Sequence, residues 1–431
     1  MVEKQRNGKK FWLALVIFSL TGQVAWVVEN MYFNVFIYKM FHASAEAISA
    51  MVAASAAAAT ITTLLIGALS DKIGKRKLFI CGGYMIWGVT IWSFSLIRMD
   101  VIGALVPSVT SAAAVGVSLT IIMDCVMTFF GSAANDACFN AWLTDVTDET
   151  NRGAAEGINS MMPLLAILVV FGGFMGFDLN QSGSWVTIFN IIGIVVIAIG
   201  VLGIFLIEEP EVQTEGNQSY FANIFYGFRP GVVRENSTLY MTLLAFCAFN
   251  ISIQIFMPYL ILYYTESLKL DNYVLIMAPA VILAAVFTAV YGRVYDKKGF
   301  RATVIPTIGL LMAGYVVLYL CRSTLLVFLG SLLMMCGYLG GMGIFGAMVR
   351  DHTPQNKTGM FQGLRIFSQV LIPGIIGPAV GAWVLRNADT VIGDDGTSSF
   401  IPNENIFLAA LVAAVVIWMA LMPLFRMEKR K

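Results

Sequence analysis

The sequence predicts an all-α polytopic membrane protein of twelve transmembrane helices in two pseudo-symmetric six-helix halves. Three observations predict it. Apolar residues fill 58% of the 431 positions and charged residues only 12%, a balance suited to lipid rather than water. Stretches of ~20 apolar residues, the length that crosses ~30 Å of hydrocarbon at 1.5 Å per residue, recur from Phe11 to the end. Charged loop patterns also occur twice, at matching places in the two halves. Backbone facing lipid must be hydrogen-bonded internally, so the spans read as helices.

Apolar runs between charged punctuation place the first six helices over 11–38, 45–69, 78–97, 118–143, 157–177 and 185–207. The second six fall over 239–264, 272–291, 302–320, 326–349, 364–385 and 404–425. The chain thus divides into an N-terminal half, 1–207, a polar linker, 208–238, and a C-terminal half, 239–431. The linker, with Glu208, Glu209, Pro210 and Arg229-Pro230-Gly231, has no spanning run. The first apolar run is too long for the core of a cleavable signal peptide and is expected to stay as the first helix. The six cysteines, Cys81, Cys125, Cys138, Cys247, Cys321 and Cys336, sit in or beside apolar runs without metal-site or disulfide spacing, as packing residues do.

Orientation follows from Lys and Arg. With the N-terminus, the linker and every second loop on the cytoplasmic side, 22 of the 27 positive side chains lie there, and both termini are cytoplasmic. Reading 101–118 as a thirteenth helix would put 14 of those 22 outside, so this stretch is expected to be an outer loop or a shallow segment. The expected location is the plasma (inner) membrane. A net charge of +1 offers no basic surface for nucleic acid.

The internal repeat is the most informative pattern. After the second helix the chain reads Gly67, Asp71, Gly74, Arg76, and after the eighth Gly292, Asp296, Gly299, Arg301, at identical spacing. After the fourth helix come Asp145, Arg152 and Gly153, and after the tenth Asp351, Lys357 and Gly359. The stretch Gly67 to Arg76 resembles the hallmark loop of the major facilitator superfamily at every defined position. That resemblance implies a transporter, with Asp71 and Arg76 in a cytoplasmic latch joined by Gly67, Gly74, Asp145, Arg152, Asp296, Gly299, Arg301 and Asp351. Glycine suits close helix approach, and a carboxylate near helix ends can satisfy orphan N–H groups and pair with guanidinium.

Within that superfamily, the seventh helix, with Asn250, Gln254, Tyr259, Tyr263 and Tyr264, is similar to the glycoside-pentoside-hexuronide cation symporters and the sucrose-type transporters. The fourth helix, with Asn135, Asp136, Asn140 and Asp145, is similar to the same group in placing an aspartate near its inner end. The second helix departs from that group: Ala53 to Thr63 holds no carboxylate where a paired aspartate would bind sodium. The glycine and proline signature of drug antiporters is missing from the fifth helix, and a partial version, Gly374, Gly377 and Pro378, lies on the eleventh.

Carboxylates within a bilayer cost ~2.5–3.5 kcal/mol on insertion scales, so each is a functional candidate. Glu29 lies deep in the first helix, where Gln23, Trp26, Asn30 and Asn34 are expected to line one polar stripe. Low dielectric penalises its charged form, as a proton carrier requires. Asp136 is the second candidate and Asp124, ~18 Å away along the axis, the third. For substrate, Asn250 and Gln254 share a face at four-residue spacing. Pro258 is expected to break the helix beside Tyr259, and an aromatic plate with amides, Asn140 among them, suits a hydroxyl-rich ligand. Tyr263 and Tyr264 read as interface-belt anchors.

These residues imply a secondary transporter that takes up a sugar or other small polar solute with protons, acting as a monomer. The alternative is an exporter or a carrier of lipid-like substrates. No cofactor or metal is expected, the driving force being a proton or sodium gradient. An intramembrane enzyme would need a metal or nucleophilic constellation, and the only histidines are His42 and His352 at helix ends. No nucleotide-binding loop occurs, which argues against ATP-driven transport.

Overall fold

The computed structural model describes residues 8–106, 108–148, 151–209, 228–270, 272–353, 364–392 and 397–428. Among these, 11 helical runs are long and apolar enough to cross a membrane. The longest, Val274–Leu320, has 47 residues, or ~70 Å, twice what one crossing needs. It breaks at Gly299, where φ is 75° and ψ −179°, a backbone essentially confined to glycine. Counting it as two spans gives twelve.

We number the spans α1 (Lys9–Phe41), α2 (Ala45–Ile73), α3 (Arg76–Leu96), α4 (Val109–Gly131 continuing through Ser132–Phe139 to Asn140–Asp145), α5 (Arg152–Phe174) and α6 (Ser182–Leu206). Then follow α7 (Ser237–Ser267), α8 and α9 (274–298 and 300–320), α10 (Thr324–His352), α11 (Leu364–Leu385) and α12 (Asn405–Glu428). A short antiparallel hairpin, Thr390–Ile392 with Ser398–Phe400, precedes α12.

The fourth helix differs from its sequence reading. It begins at Val109, not 118, because Ser108 caps it, its hydroxyl accepting the Ser111 N–H at 3.5 Å. The earlier part of the 101–118 stretch belongs to a short helix, Met99–Leu105, exposed except at half-buried Met99 and buried Ile102. In the linker a short helix, Pro230–Glu235, leads into α7, while residues 210–227 of that stretch lie outside the described residues.

Two compact units emerge. One comprises Met1–Ala43 and Ala57–Gln218, the other Ser44–Ala56 and Ser219–Lys431. In the first, α1 packs on α5 and α6, and α3 on α6 and α4. Phe33, Phe36, Phe94, Trp185 and Phe189 form its buried aromatic core near the ends of α1 and α3. Between α5 and α6, Asp178 accepts the backbone N–H of Asn180 and side-chain N–H groups of Asn180 and Gln181, which hold its carboxyl below the usual range.

In the second unit α7 packs on α10, α11 and α12, and the α8–α9 run on α10. Ser252 of α7 donates to the Ala410 carbonyl at 2.8 Å and lies 3.1 Å from the Tyr315 hydroxyl. The opening turns of α2 are held here by Tyr259, which donates to the Ala45 carbonyl at 3.0 Å. The cysteines are all free, four buried and two half-buried.

Candidate functional site

Four spans contain π-helical segments among the described residues: Val28–Phe33 in α1, Ser132–Phe139 in α4, Tyr263–Ser267 in α7 and Phe367–Leu371 in α11. A π turn widens the helix by one residue and occurs chiefly as single bulges, frequently at functional sites. Two of these segments hold carboxylates singled out above, Glu29 and Asp136.

Inside the first unit α1 and α4 run antiparallel in one register. Gly22 lies against Asn135, Glu29 against Thr128 and Phe41 against Gly116. The two glycines allow this approach, since a Cβ on Gly22 would sit 2.4 Å from Asn135 Oδ1 and one on Gly116 2.2 Å from the Phe41 ring. The Thr128 hydroxyl donates to Glu29 Oε1 at 2.8 Å, with both residues buried. Asp124, 1% exposed, lies one turn away on the same row of α4. Toward the other end, Trp26 Nε1 and Asn135 Nδ2 each donate to Asp136 Oδ1 at 3.2 Å. The Tyr84 hydroxyl lies 2.9 Å from both the Phe18 carbonyl and Asn135 Oδ1.

The structure therefore brings Trp26, Asn135 and Asp136 together and, about two turns along α4, Glu29 and Thr128, with Asp124 one turn beyond on the same helix. The single stripe expected on α1 does not form. Asn30 is exposed and Asn34 fully buried, because the π segment shifts the helix register between Trp26 and Asn34. Asn30 donates to the Trp26 carbonyl and Asn34 to the Asn30 carbonyl, at 2.8 and 3.0 Å. Gln23 is half-buried, and Asn140, exposed, donates to the Asp136 carbonyl at 3.1 Å. Thr128, Ser132 and Tyr84 were missed in the sequence reading. The four-residue spacing Thr120, Asp124, Thr128, Ser132, Asp136 was the available signal for the first two.

The α7 candidates are spent on packing within the second unit. Asn250 is buried and donates to the Phe246 carbonyl at 2.8 Å, while Gln254 lies against Gly377. Pro258 does break the helix, through the 3₁₀ turn Met257–Tyr259. Tyr259 is buried, its hydroxyl directed at the Ala45 and Pro378 carbonyls. Tyr263 and Tyr264 are not belt anchors. Both are buried, Tyr264 bonded to Ser331 at 2.6 Å and Tyr263 directed at the Leu318 carbonyl at 3.4 Å, so their hydroxyls tie α7 to α10 and α9.

The loop residues form different arrangements in the two units. Arg76, buried, pairs with Asp71 and with Asp145, Nε to Oδ2 at 3.0 Å. Arg152 donates to the Thr144 and Thr147 carbonyls at 3.1 and 2.9 Å. In the second unit Arg301 lies over the Phe425 ring at 5.2 Å, and Asp351 accepts the Tyr295 hydroxyl at 2.6 Å. Asp296 is exposed. Lys357 and Gly359 lie outside the described residues.

No curated protein sequence matches the chain. Among solved structures, its fold is similar to a D-xylose-proton symporter (TM-score 0.71, 13% identity, covering 95% of this chain and 97% of that one). It is also similar to a bacterial homolog of the human lysosomal transporter Spinster in an inward-facing, occupied conformation (TM-score 0.69, 15% identity, 98% of each). A third is the nucleoside transporter NupG (TM-score 0.66, 15% identity, 96% of this chain and 98% of that one). At such identities the likeness is one of fold alone. The sequence itself matches the Major Facilitator Superfamily over residues 11–378. With that match and the helical fold, the chain belongs to the Major Facilitator Superfamily and is a multi-pass membrane transporter rather than an enzyme.

Proposed function

We propose that this transporter takes up a sugar or other small hydroxyl-rich solute with protons by alternating access, as a monomer in the plasma (inner) membrane with both termini cytoplasmic. The observation that carries the reading is the half-buried Trp26 bonded to Asp136, with Asn30 and Asn140 exposed near it and Glu29 deeper on the same two helices. An indole face covers the apolar face of a sugar ring, amides read its hydroxyls, and a carboxylate in lipid exchanges protons more readily than it holds charge. The α7 and α4 patterns similar to the glycoside-pentoside-hexuronide symporters support the cargo class. The fold neighbours described as a D-xylose-proton symporter and a nucleoside transporter are compatible with it. The absence of a carboxylate between Ala53 and Thr63 of α2 favours protons over sodium.

The test is a thermal-shift screen of purified protein against monosaccharides, glycosides, nucleosides and amphipathic lipids, since a ligand stabilises by RT ln(1 + [L]/Kd). A sugar or nucleoside that raises Tm in the wild type, with the shift lost in Trp26→Ala, is the expected result. Stabilisation by amphipathic lipids alone would overturn the cargo class and favour a lipid-like substrate.

A further inference from the structure

Five polar side chains stand at four-residue spacing along α4: Thr120, Asp124, Thr128, Ser132 and Asp136. The first four are at most 1% exposed and Asp136 is half-buried. The row covers ~24 Å of helix axis, most of a bilayer core. In an α-helix a four-residue row drifts around the axis, and the wider π turn that begins at Ser132 turns it back toward α1. The contacts of α1 on Gly116, Thr128, Asn135 and Asp136 follow this same side of α4.

Several buried serine and threonine hydroxyls in this protein donate to the carbonyl four residues back. Thr120 does so to Gly116 at 2.8 Å, Thr242 to Thr238 at 2.8 Å and Ser331 to Val327 at 2.6 Å. The two middle hydroxyls of the row lie beside carboxyls. Thr128 donates across to Glu29 Oε1 on α1. Ser132 Oγ, fully buried and close enough to act on the Asp136 carboxyl, makes no hydrogen bond of normal geometry. Leaving a buried hydroxyl unbonded costs ~1–3 kcal/mol, so Ser132, standing between Asp136 and the Thr128–Glu29 hydrogen bond, calls for a role.

We propose that Ser132 and Thr128 form a proton relay along α4 joining Asp136 to Glu29. The proposal rests on the proton-coupled reading above and assigns its internal path. In one transfer Asp136 gives its proton to Ser132 Oγ, Ser132 passes its own to Thr128 Oγ1, and Thr128 releases its own to Glu29 Oε1. Each hydroxyl ends with the proton count it began with, Asp136 is left a carboxylate, and Glu29 becomes a carboxylic acid. Side chains four residues apart have Cβ atoms ~5–6 Å apart, a gap that two hydroxyls or a hydroxyl and one water bridge. Asp124 lies one turn beyond Thr128 on α4. The titratable and charged groups facing the row from packed elements are Glu29 of α1 and Tyr84 of α3. Asp100, on the short helix Met99–Leu105, is exposed and paired with Arg98.

The relay is tested without a substrate on the purified full-length protein. Infrared difference spectroscopy after a rapid pH jump follows protonation of the Glu29 carboxyl, its band assigned by its loss in Glu29→Gln. Ser132→Ala and Thr128→Val are expected to slow that protonation about tenfold or more. The Glu29 titration midpoint should stay in place in Ser132→Ala, whereas Thr128→Val, which also removes a hydrogen bond to the carboxylate, should raise it, and Thr128→Ser should restore both rate and midpoint. Wild-type rates in both hydroxyl-deleted variants, or a shifted midpoint at an unchanged rate, would overturn the relay while leaving proton coupling standing. A Glu29 band that does not titrate in the wild type between about pH 5 and 9 would overturn the proton-carrier reading itself, and the relay with it.

Discussion

Gly74 and Gly299 stand at matching positions of the two charged loops and both adopt a left-handed backbone, φ 69° and 75°, yet the arginines two residues on live differently. Arg76 is buried with its side chain 5% exposed, between Asp71 and Asp145. Arg301 is exposed and rests on Phe425, and its unit's aspartates, Asp296 and Asp351, are exposed as well. The same division recurs in the spans. Among the described residues, the buried carboxylates Glu29 and Asp124 belong to the first unit, whereas the buried polar groups of the second are hydroxyls and amides such as Thr242, Asn250, Ser252 and Ser331. Duplication kept the backbone of the loop. Among the described residues, the loop arginine is desolvated in the first copy and exposed in the second.

Removing the anions tests the difference most strongly. Asp71→Asn with Asp145→Asn leaves a buried guanidinium without its counter-charges and should destabilise the protein by ~3 kcal/mol, somewhat less if water reaches the exposed side of Asp71. The matching pair, Asp296→Asn with Asp351→Asn, should stay within ~1 kcal/mol. Equal losses in thermal or denaturant unfolding would break the contrast. The glycines should behave alike: Gly74→Ala and Gly299→Ala each force an L residue into a glycine backbone, at ~1–3 kcal/mol. Gly292→Ala, seven residues before Gly299 with open space at its Cβ, should instead stabilise by up to ~1 kcal/mol, and a loss there would mean the loop demands more than backbone geometry. The smallest effect is expected from Arg301→Gln, ~0.5–1 kcal/mol for an exposed cation–π contact.

The helices and the loop glycines were legible in the sequence because apolar run length and a repeated glycine spacing are set by the bilayer and by backbone sterics. Helix 4 was read nine residues short because Val109 to Gly116 is rich in small residues, and its start is fixed by one capping serine. The site was harder. Glu29, Asp124 and Asp136 were legible because a carboxylate in an apolar run stands out, but which groups meet them depends on the α1–α4 register and on π turns that no residue pattern announces. Asn34 went to the interior and Asn30 outward for that reason. Tyr263 and Tyr264 were misplaced because a tyrosine near a helix end is an interface anchor unless a partner hydroxyl or carbonyl, here Ser331 or Leu318, lies within reach.

The proton-carrier role proposed for Glu29 is open to a direct test in vesicles. Wild-type protein and Glu29→Gln, reconstituted into vesicles loaded with a pH-sensitive dye, are to be given the sugar or nucleoside that most raises Tm in the ligand screen, under an imposed pH gradient. The wild type is expected to accumulate solute with a matching proton flux. Glu29→Gln, which keeps the shape and hydrogen bonding of the protonated acid, should lose both while still exchanging labelled for unlabelled solute. Full gradient-driven accumulation by Glu29→Gln would contradict the account and leave Glu29 as a packing partner of Thr128.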